Sequence, residues 1–241
     1  MFPSVSSREF LLHIGTHKTG TTSFQYFLED NERSLLSQGV LALADRQPDE
    51  PGRGHRFNIT ATAHHFLRPD LVTFARLELA LHHPGGVEGS EVESLLVSRI
   101  NESPCSKVVG SAEAFCFMRS EQEFDHLAQF LGRLNRHARF FVVFREEAEW
   151  RRSWLNEVSR SPALSEAIKT GLPDVRRVTA DWYFDKAAIR RFWSRLGELV
   201  ELDYGMHHDI RVNLADKMGI DTRQLRFGDW QNVTPSALSE I

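Results

Sequence analysis

The chain has 241 residues, of which 41% are hydrophobic and 26% charged, and this composition is typical of a globular protein rather than a disordered or fibrous one. Its formal net charge of -4 argues against a protein that binds nucleic acid through overall basic character. The two cysteines, Cys105 and Cys116, do not form a CxxC pair and do not predict a disulfide framework, so a reducing compartment is expected.

The chain carries no pattern typical of export or membrane insertion. The first residues, MFPSVSSREF, lack the basic stretch and apolar run of a signal peptide. No apolar run approaches the ~18–20 residues that span a bilayer. We therefore expect a soluble, cytoplasmic protein with no transmembrane segment, and one domain over residues 1–241.

Short apolar runs alternate along the chain with segments of helical periodicity. The runs predict strands, and the 3.6-residue periodicity predicts helices. The strands are predicted at 10–14, 40–43, 107–111, 139–144 and 199–203. The helices are predicted at 21–37, 57–82 with a break at Pro69, 88–101, 121–136, 146–160, 180–196 and 207–218. This alternation predicts an α/β fold with three layers, α/β/α, around a mostly parallel sheet.

The segment LLHIGTHKTGTTSFQYFL, residues 11–28, has the layout of a phosphate-binding loop. Gly15 and Gly20 have the spacing of the nucleotide-binding pattern GxxxxGK followed by Ser or Thr. Thr21 stands where that pattern has its lysine, and the lysine of this loop is Lys18. The backbone amides of residues 18–22 lead into a helix N-terminus and therefore still predict a cradle for a phosphate group.

The sequence HIGTHKTGTTSFQ resembles the 5′-phosphosulfate loop of the sulfotransferases that use 3′-phosphoadenosine 5′-phosphosulfate (PAPS), above all the bacterial branch that reads IGxHKTGTT. The resemblance implies a sulfotransferase fold of the P-loop NTPase type, with PAPS as the co-substrate. It also implies that Lys18 contacts the bridging oxygen of the leaving group. The loop residues that it implies in donor binding are Thr16, His17, Lys18, Thr19, Gly20, Thr21 and Thr22.

The same family has a second signature, an arginine at a strand end with a serine eight residues later in the following helix. The segment FFVVFREEAEWRRSWLNEVSR supplies both, with Arg145 after the predicted strand and Ser153 in the predicted helix. In the family this pair binds the 3′-phosphate of the donor. The planar guanidinium group can donate two hydrogen bonds to a phosphate, and a serine hydroxyl can add a third.

Other parts of the chain resemble the family less specifically. VVGSAEAF resembles its SxE strand end, VELDYG its late strand and QNVTPS its NxS tail. Residues 45–105 match poorly, and acceptor recognition is expected there. By elimination, we expect residues 45–56 and 161–177 to shape the acceptor site.

Sulfuryl transfer is an in-line displacement at sulfur, which depends on positioning and on stabilisation of the leaving group. We expect Lys18 to stabilise the leaving phosphate oxygen. The transferred group carries less charge than a phosphoryl group, so no divalent metal is expected. A general base must also take the proton of the acceptor, and the candidates in order are His55, Glu113 and His17.

Three pairs of adjacent histidines, His64–His65, His82–His83 and His207–His208, invite a metal interpretation. Adjacent residues on a helix do not face the same way, and no HExxH motif or cysteine accompanies them. We therefore predict no metal site.

Two alternatives remain open at the level of sequence. A nucleotide or nucleoside kinase of the P-loop type would bind ATP and Mg²⁺, although the lysine after Gly20 is missing. A sulfotransferase-like protein without catalytic activity would bind the donor but not turn it over. The acceptor, whether a small molecule, a saccharide or a lipid, and the oligomeric state are not encoded in any motif.

Overall fold

A computed structural model describes residues 8–45, 57–69, 71, 73, 89–160, 181–205 and 209–228. Its centre is a sheet of five parallel strands in the order β2-β3-β1-β4-β5. The bounds are β1 Glu9–His13, β2 Val40–Ala42, β3 Lys107–Ser111, β4 His137–Phe144 and β5 Glu198–Asp203. All five predicted strands are confirmed to within two residues, and the predicted parallel sheet is confirmed.

Helices precede and follow these strands in the described part of the chain. They are α1 Thr21–Asp30, α2 Glu32–Ser37, α3 Thr60–Phe66, α4 Gly89–Glu102, α5 Glu121–Gly132, α6 Glu147–Arg160, α7 Asp181–Phe184, α8 Lys186–Trp193 and α9 Ile210–Lys217. A 3₁₀ turn, Glu113–Phe117, follows β3.

The two faces of the sheet carry separate hydrophobic clusters, because successive strand residues point to opposite faces. On β1, Phe10 and Leu12 belong to one cluster and Leu11 to the other. The helical side chains of the first cluster come from α3 to α8, and those of the second from α1, α2 and α9. Helices therefore cover both faces of the sheet, which is compatible with the predicted three layers.

The prediction of a single helix over residues 21–37 was wrong, because the helix is interrupted at Asn31, between α1 and α2. The Asn31 side chain is buried, and its amide donates to the carbonyl groups of Phe27 and Arg226 at 2.8 Å. Its side-chain oxygen accepts from the Arg226 amide at 2.6 Å. A distant segment thus stabilises the break, which helix periodicity could not reveal.

The single helix predicted over residues 180–196 was also wrong, since Asp185 separates α7 from α8. Its carboxylate accepts a hydrogen bond from the Ala188 amide at 2.9 Å and caps the N-terminus of α8. This signal was local and could have been recognised in the sequence.

The helix predicted from residue 57 begins three residues later, at Thr60. Asp45 caps it from outside, since its carboxylate accepts from the Ala61 amide at 2.5 Å and from the Thr62 hydroxyl at 2.6 Å. The helix ends at Phe66, ahead of Pro69.

Several predicted segments lie outside the described residues, namely most of residues 45–56, most of the predicted helix between Pro69 and residue 82, the segment 161–177 and the tail that contains QNVTPS. Within the described part of the chain, no helix combines the length and the apolar character needed to cross a membrane.

Candidate functional site

The carboxyl ends of three neighbouring strands meet at one edge of the sheet. β1 lies between β3 and β4, with His13 opposite Ser111 on one side and Phe141 on the other. The predicted phosphate loop follows β1, Glu113 follows β3, and Arg145 follows β4. In open parallel sheets, ligands bind in the crevice at this edge, where neighbouring loops diverge.

The two glycines of the loop occupy positions where a side chain would not fit. A Cβ at Gly15 would lie 2.6 Å from the Thr21 hydroxyl oxygen, and one at Gly20 would lie 2.7 Å from Ile210. Gly20 also has a φ of 84°, in the left-handed region. Lys18 has a φ of 66° and is the only described residue other than glycine with a positive φ. Such a conformation costs about 1–2 kcal/mol in a residue with a Cβ and clusters at functional sites.

The hydroxyl groups of Thr16 and Thr19 hold the loop in shape. Thr16 donates to the Val143 carbonyl at 2.7 Å, which ties the loop to β4. Thr19 donates to the Thr16 carbonyl at 2.5 Å, and both threonines are fully buried. Thr16 and Thr19 would therefore contact a ligand through their backbone groups rather than through their hydroxyls.

The N-terminus of α1 is arranged to receive an anion. Gly20 precedes the helix and provides no side-chain cap, so the first-turn amides are not capped by a side chain. The Thr21 hydroxyl is buried and has no hydrogen-bond partner among the described residues. Thr22 is half-buried beside it. A buried polar atom without a partner is uncommon in a folded protein and fits a site that a polar ligand completes.

Arg145 lies against the loop. Its guanidinium group donates to the Lys18 carbonyl at 3.3 Å and to the Glu149 carboxylate at 3.2 Å. The group also lies 5.0 Å from the ring centroid of Tyr204, which follows β5. Ser153 is half-buried in α6, about two turns beyond Arg145. The structure therefore brings Arg145 and Lys18 together and places Ser153 on the adjoining helix.

His17 is enclosed by aromatic rings. Its ring centroid lies 4.8 Å from that of Trp154 and 5.1 Å from that of Phe117. Its Nδ1 lies 2.7 Å from the Tyr183 hydroxyl oxygen. Burial, with a further contribution from the Lys18 charge, lowers the pKa of His17 to about 3. The imidazole is therefore neutral at physiological pH.

Glu113 is the general-base candidate that the structure places beside the loop. Its carboxylate oxygen lies 3.8 Å from Nε2 of His17, and about a third of its side chain is exposed. Burial raises the pKa of Tyr183 well above 10, so its hydroxyl stays protonated and can donate to Nδ1 of His17. The proton of the neutral imidazole is then on Nε2 and points toward Glu113. His17 thus lies beside Glu113 without a direct hydrogen bond to it, at 3.8 Å. Sequence reasoning did not find Tyr183.

His55, the first general-base candidate, lies outside the described residues, so its role stays a prediction.

The thiol of Cys116 also lies beside His17, with its sulfur 3.9 Å from Nδ1. Burial raises the pKa of the Cys116 thiol to about 12, so it is not a nucleophile at neutral pH.

A groove of about 610 Å³ opens elsewhere in the described structure, lined by Trp182 and three arginines among other residues. None of the candidate site residues lines it.

A buried polar network lies beneath the loop. Nδ1 of His13 lies 3.0 Å from the Ser111 hydroxyl oxygen, and the Gln25 amide donates to the same oxygen at 3.2 Å. The network joins β1, β3 and α1 directly under the phosphate loop. Burial lowers the pKa of His13 to about 3, so the ring is neutral in the folded protein.

These buried histidines predict that the protein loses stability in mild acid. His13 and His17 bind protons in the unfolded chain below pH 6.5 but not in the folded one, while burial raises the pKa of Asp45 to about 6 and opposes them. Near pH 5 the unfolded chain therefore holds about one proton more, so the free energy of unfolding falls by roughly 1–2 kcal/mol per pH unit of acidification. Urea unfolding between pH 5 and pH 6.5 measures this slope.

His13→Asn should make that slope nearly flat, whatever its effect on stability at pH 7, because it removes about one proton from the difference. The matched control is His137→Asn, at an exposed histidine on β4. An unchanged slope in the His13 variant would show that His13 does not titrate in this way.

A scan of the chain against protein-family models gives no match. A search of curated protein sequences gives no significant match either.

Proposed function

We propose that this protein is a PAPS-dependent sulfotransferase with a P-loop type of sulfotransferase fold. The observation that carries the proposal is the contact between its two motifs, in which Arg145 donates to the carbonyl of Lys18. These residues are 127 positions apart and were selected from sequence as the two ends of one donor site. Their contact places both motifs at one crevice, where the parallel strands β1 and β4 end side by side.

The residues present fit a donor with anionic groups at two ends. The 5′-phosphosulfate would occupy the loop, where the α1 N-terminus has no side-chain cap and the buried Thr21 hydroxyl has no partner among the described residues. The 3′-phosphate would be held by Arg145, with Ser153 on the next helix. Arg145 forms an ion pair with the exposed Glu149. Exposed pairs of this kind contribute little to stability, so a phosphate group could replace Glu149 at low cost.

The donor supplies an activated sulfuryl group, and the protein supplies charge and proton transfer around it. Lys18 is held in the loop by a constrained backbone and provides the positive charge for the leaving phosphate oxygen. Glu113, which lies beside the loop with its carboxylate 3.8 Å from His17, takes the proton of the acceptor hydroxyl or amine. Tyr183 holds the His17 ring through its hydroxyl.

A P-loop kinase is less well supported by the same geometry. The residue after Gly20 is Thr21, whose hydroxyl is buried, and no lysine stands there to reach a γ-phosphate. A protein that binds PAPS without turnover would keep Lys18 and Arg145. Only a transfer assay can therefore distinguish this alternative from an active enzyme. The acceptor class, a small molecule, a saccharide or a lipid, and the cytoplasmic location remain expectations from sequence.

Arg145→Ala should weaken binding of adenosine 3′,5′-bisphosphate by about 10–100-fold, because a charged hydrogen bond of roughly 1.5–3 kcal/mol is lost. Binding of adenosine 5′-monophosphate, which lacks the 3′-phosphate, should change little. Isothermal titration calorimetry with both nucleotides measures the two effects on one protein.

The matched control is Arg152→Ala, an exposed arginine on the same helix as Ser153. It should leave both affinities unchanged. Equal losses for the two nucleotides in Arg145→Ala would contradict a role specific to the 3′-phosphate and would count against the sulfotransferase proposal.

A further inference from the structure

Three side chains from three different helices converge on one point. None of them belongs to the phosphate loop. His65 lies on α3, Glu93 on α4 and His126 on α5. One carboxylate oxygen of Glu93 lies 3.2 Å from Nε2 of His65 and 3.0 Å from Nε2 of His126. The three atoms all lie within 4.8 Å of one another.

These separations are close to those of a metal-ligand set. Zinc binds histidine nitrogen and carboxylate oxygen at about 2.0–2.2 Å in tetrahedral geometry, which separates neighbouring ligand atoms by about 3.3 Å. The two distances from Glu93 fall just below this value. The two histidine nitrogens lie within 4.8 Å of each other, so a metal ion would draw them together by at most about 1.5 Å.

The surrounding residues hold the three side chains in place. The rings of His65 and His126 lie edge to face with centroids 5.0 Å apart, and His126 also packs on the buried ring of Phe66 at 4.8 Å. Arg133 donates to the second carboxylate oxygen of Glu93 at 2.6 Å. Outer partners of this kind orient metal ligands in known sites.

The carboxylate of Glu93 is more enclosed than the ring of His126. The side chain of Glu93 is only 12% exposed, whereas that of His126 is 36% exposed. The cluster is therefore open to solvent on the His126 side.

We propose that His65, Glu93 and His126 form a zinc site that links α3, α4 and α5, with its fourth position open to water. Two imidazoles and one carboxylate suit zinc better than magnesium or calcium, which prefer oxygen ligands. The proposal does not depend on the proposed sulfotransferase activity.

From the sequence, a metal site was not predicted because adjacent histidines on a helix do not face the same way. The two adjacent histidines do face different ways. Nδ1 of His64 donates to the Thr60 carbonyl at 2.7 Å, and its Nε2 lies 2.5 Å from the Thr73 hydroxyl oxygen. The partners of His65 come instead from residues 28 and 61 positions further along the chain. No short motif records that spacing.

Calorimetric titration of the metal-free full chain with zinc chloride tests the site, with magnesium chloride as the comparison. Zinc should bind to the unaltered chain, and His126→Gln and Glu93→Gln should each lower the zinc affinity by at least about 10-fold. A loss of about that size already follows the removal of an outer partner in known sites. Zinc should also raise the midpoint of thermal unfolding, Tm, of the unaltered chain but not of His126→Gln. Magnesium should do neither.

His137→Gln is the matched control, since it removes an exposed histidine from β4 and should leave zinc affinity unchanged. Circular dichroism before each titration verifies that the variants are folded. Absence of zinc binding to the folded chain, or zinc binding that His126→Gln and Glu93→Gln leave unchanged, would overturn the proposal. The second result would assign the metal to other histidines of the chain.

Discussion

Lys18→Gly should reduce sulfuryl transfer by about 10²–10³-fold, the effect of removing one preorganised group that stabilises developing charge. The same change should leave the fold nearly as stable, because glycine relieves the left-handed conformation at this position. Its greater freedom in the unfolded chain offsets that gain by about 0.4–1 kcal/mol. Transfer of a radiolabelled sulfuryl group from PAPS to a panel of hydroxyl and amine acceptors, together with urea unfolding, measures both effects.

Two comparisons make this result specific. Lys18→Ala removes the same amine but keeps a Cβ in the left-handed region, so it should lose as much activity and be less stable than Lys18→Gly. Lys217→Ala removes an exposed lysine at the end of α9 and should change neither quantity. Full transfer activity in Lys18→Gly would remove the role assigned to this amine.

Glu113→Gln should reduce the rate of transfer by about 10²–10⁴-fold, the usual contribution of a general base. Binding of adenosine 3′,5′-bisphosphate should be retained, because Glu113 carries no positive charge and follows β3 rather than the phosphate loop. A transfer assay and a nucleotide titration on the same preparation separate the two effects.

Glu102→Gln, at an exposed residue near the end of α4, is the matched control and should retain full activity. If Glu113→Gln also retained full activity, the base would have to be another residue, and His55 would become the leading candidate. Loss of nucleotide binding together with activity would instead assign Glu113 to the donor site.

The sheet could be predicted from the sequence because its strands are short apolar runs, which are local signals. The contact between Arg145 and Lys18 was not predicted, since it depends on β1 and β4 being neighbours in the sheet. The displaced lysine was visible in the motif itself. What the motif could not show is that Thr16 and Thr19 use their hydroxyls to hold the loop.

The remaining features depend on residues that meet only in the folded chain. Tyr183 reaches His17 across 166 positions, and Arg226 stabilises the helix break at Asn31 across 195. No periodicity or motif connects these pairs. The neutral state of His17 likewise follows from the rings around it, since an isolated histidine would titrate near pH 6.5.

The most direct test of the central claim is a calorimetric titration of the folded protein with adenosine 3′,5′-bisphosphate, set against ATP with Mg²⁺. A sulfotransferase donor site should bind the bisphosphate at one site per chain and more tightly than ATP. Tighter binding of ATP with Mg²⁺, or no binding of the bisphosphate to the folded protein, would contradict the assignment of Lys18 and Arg145 to a PAPS site.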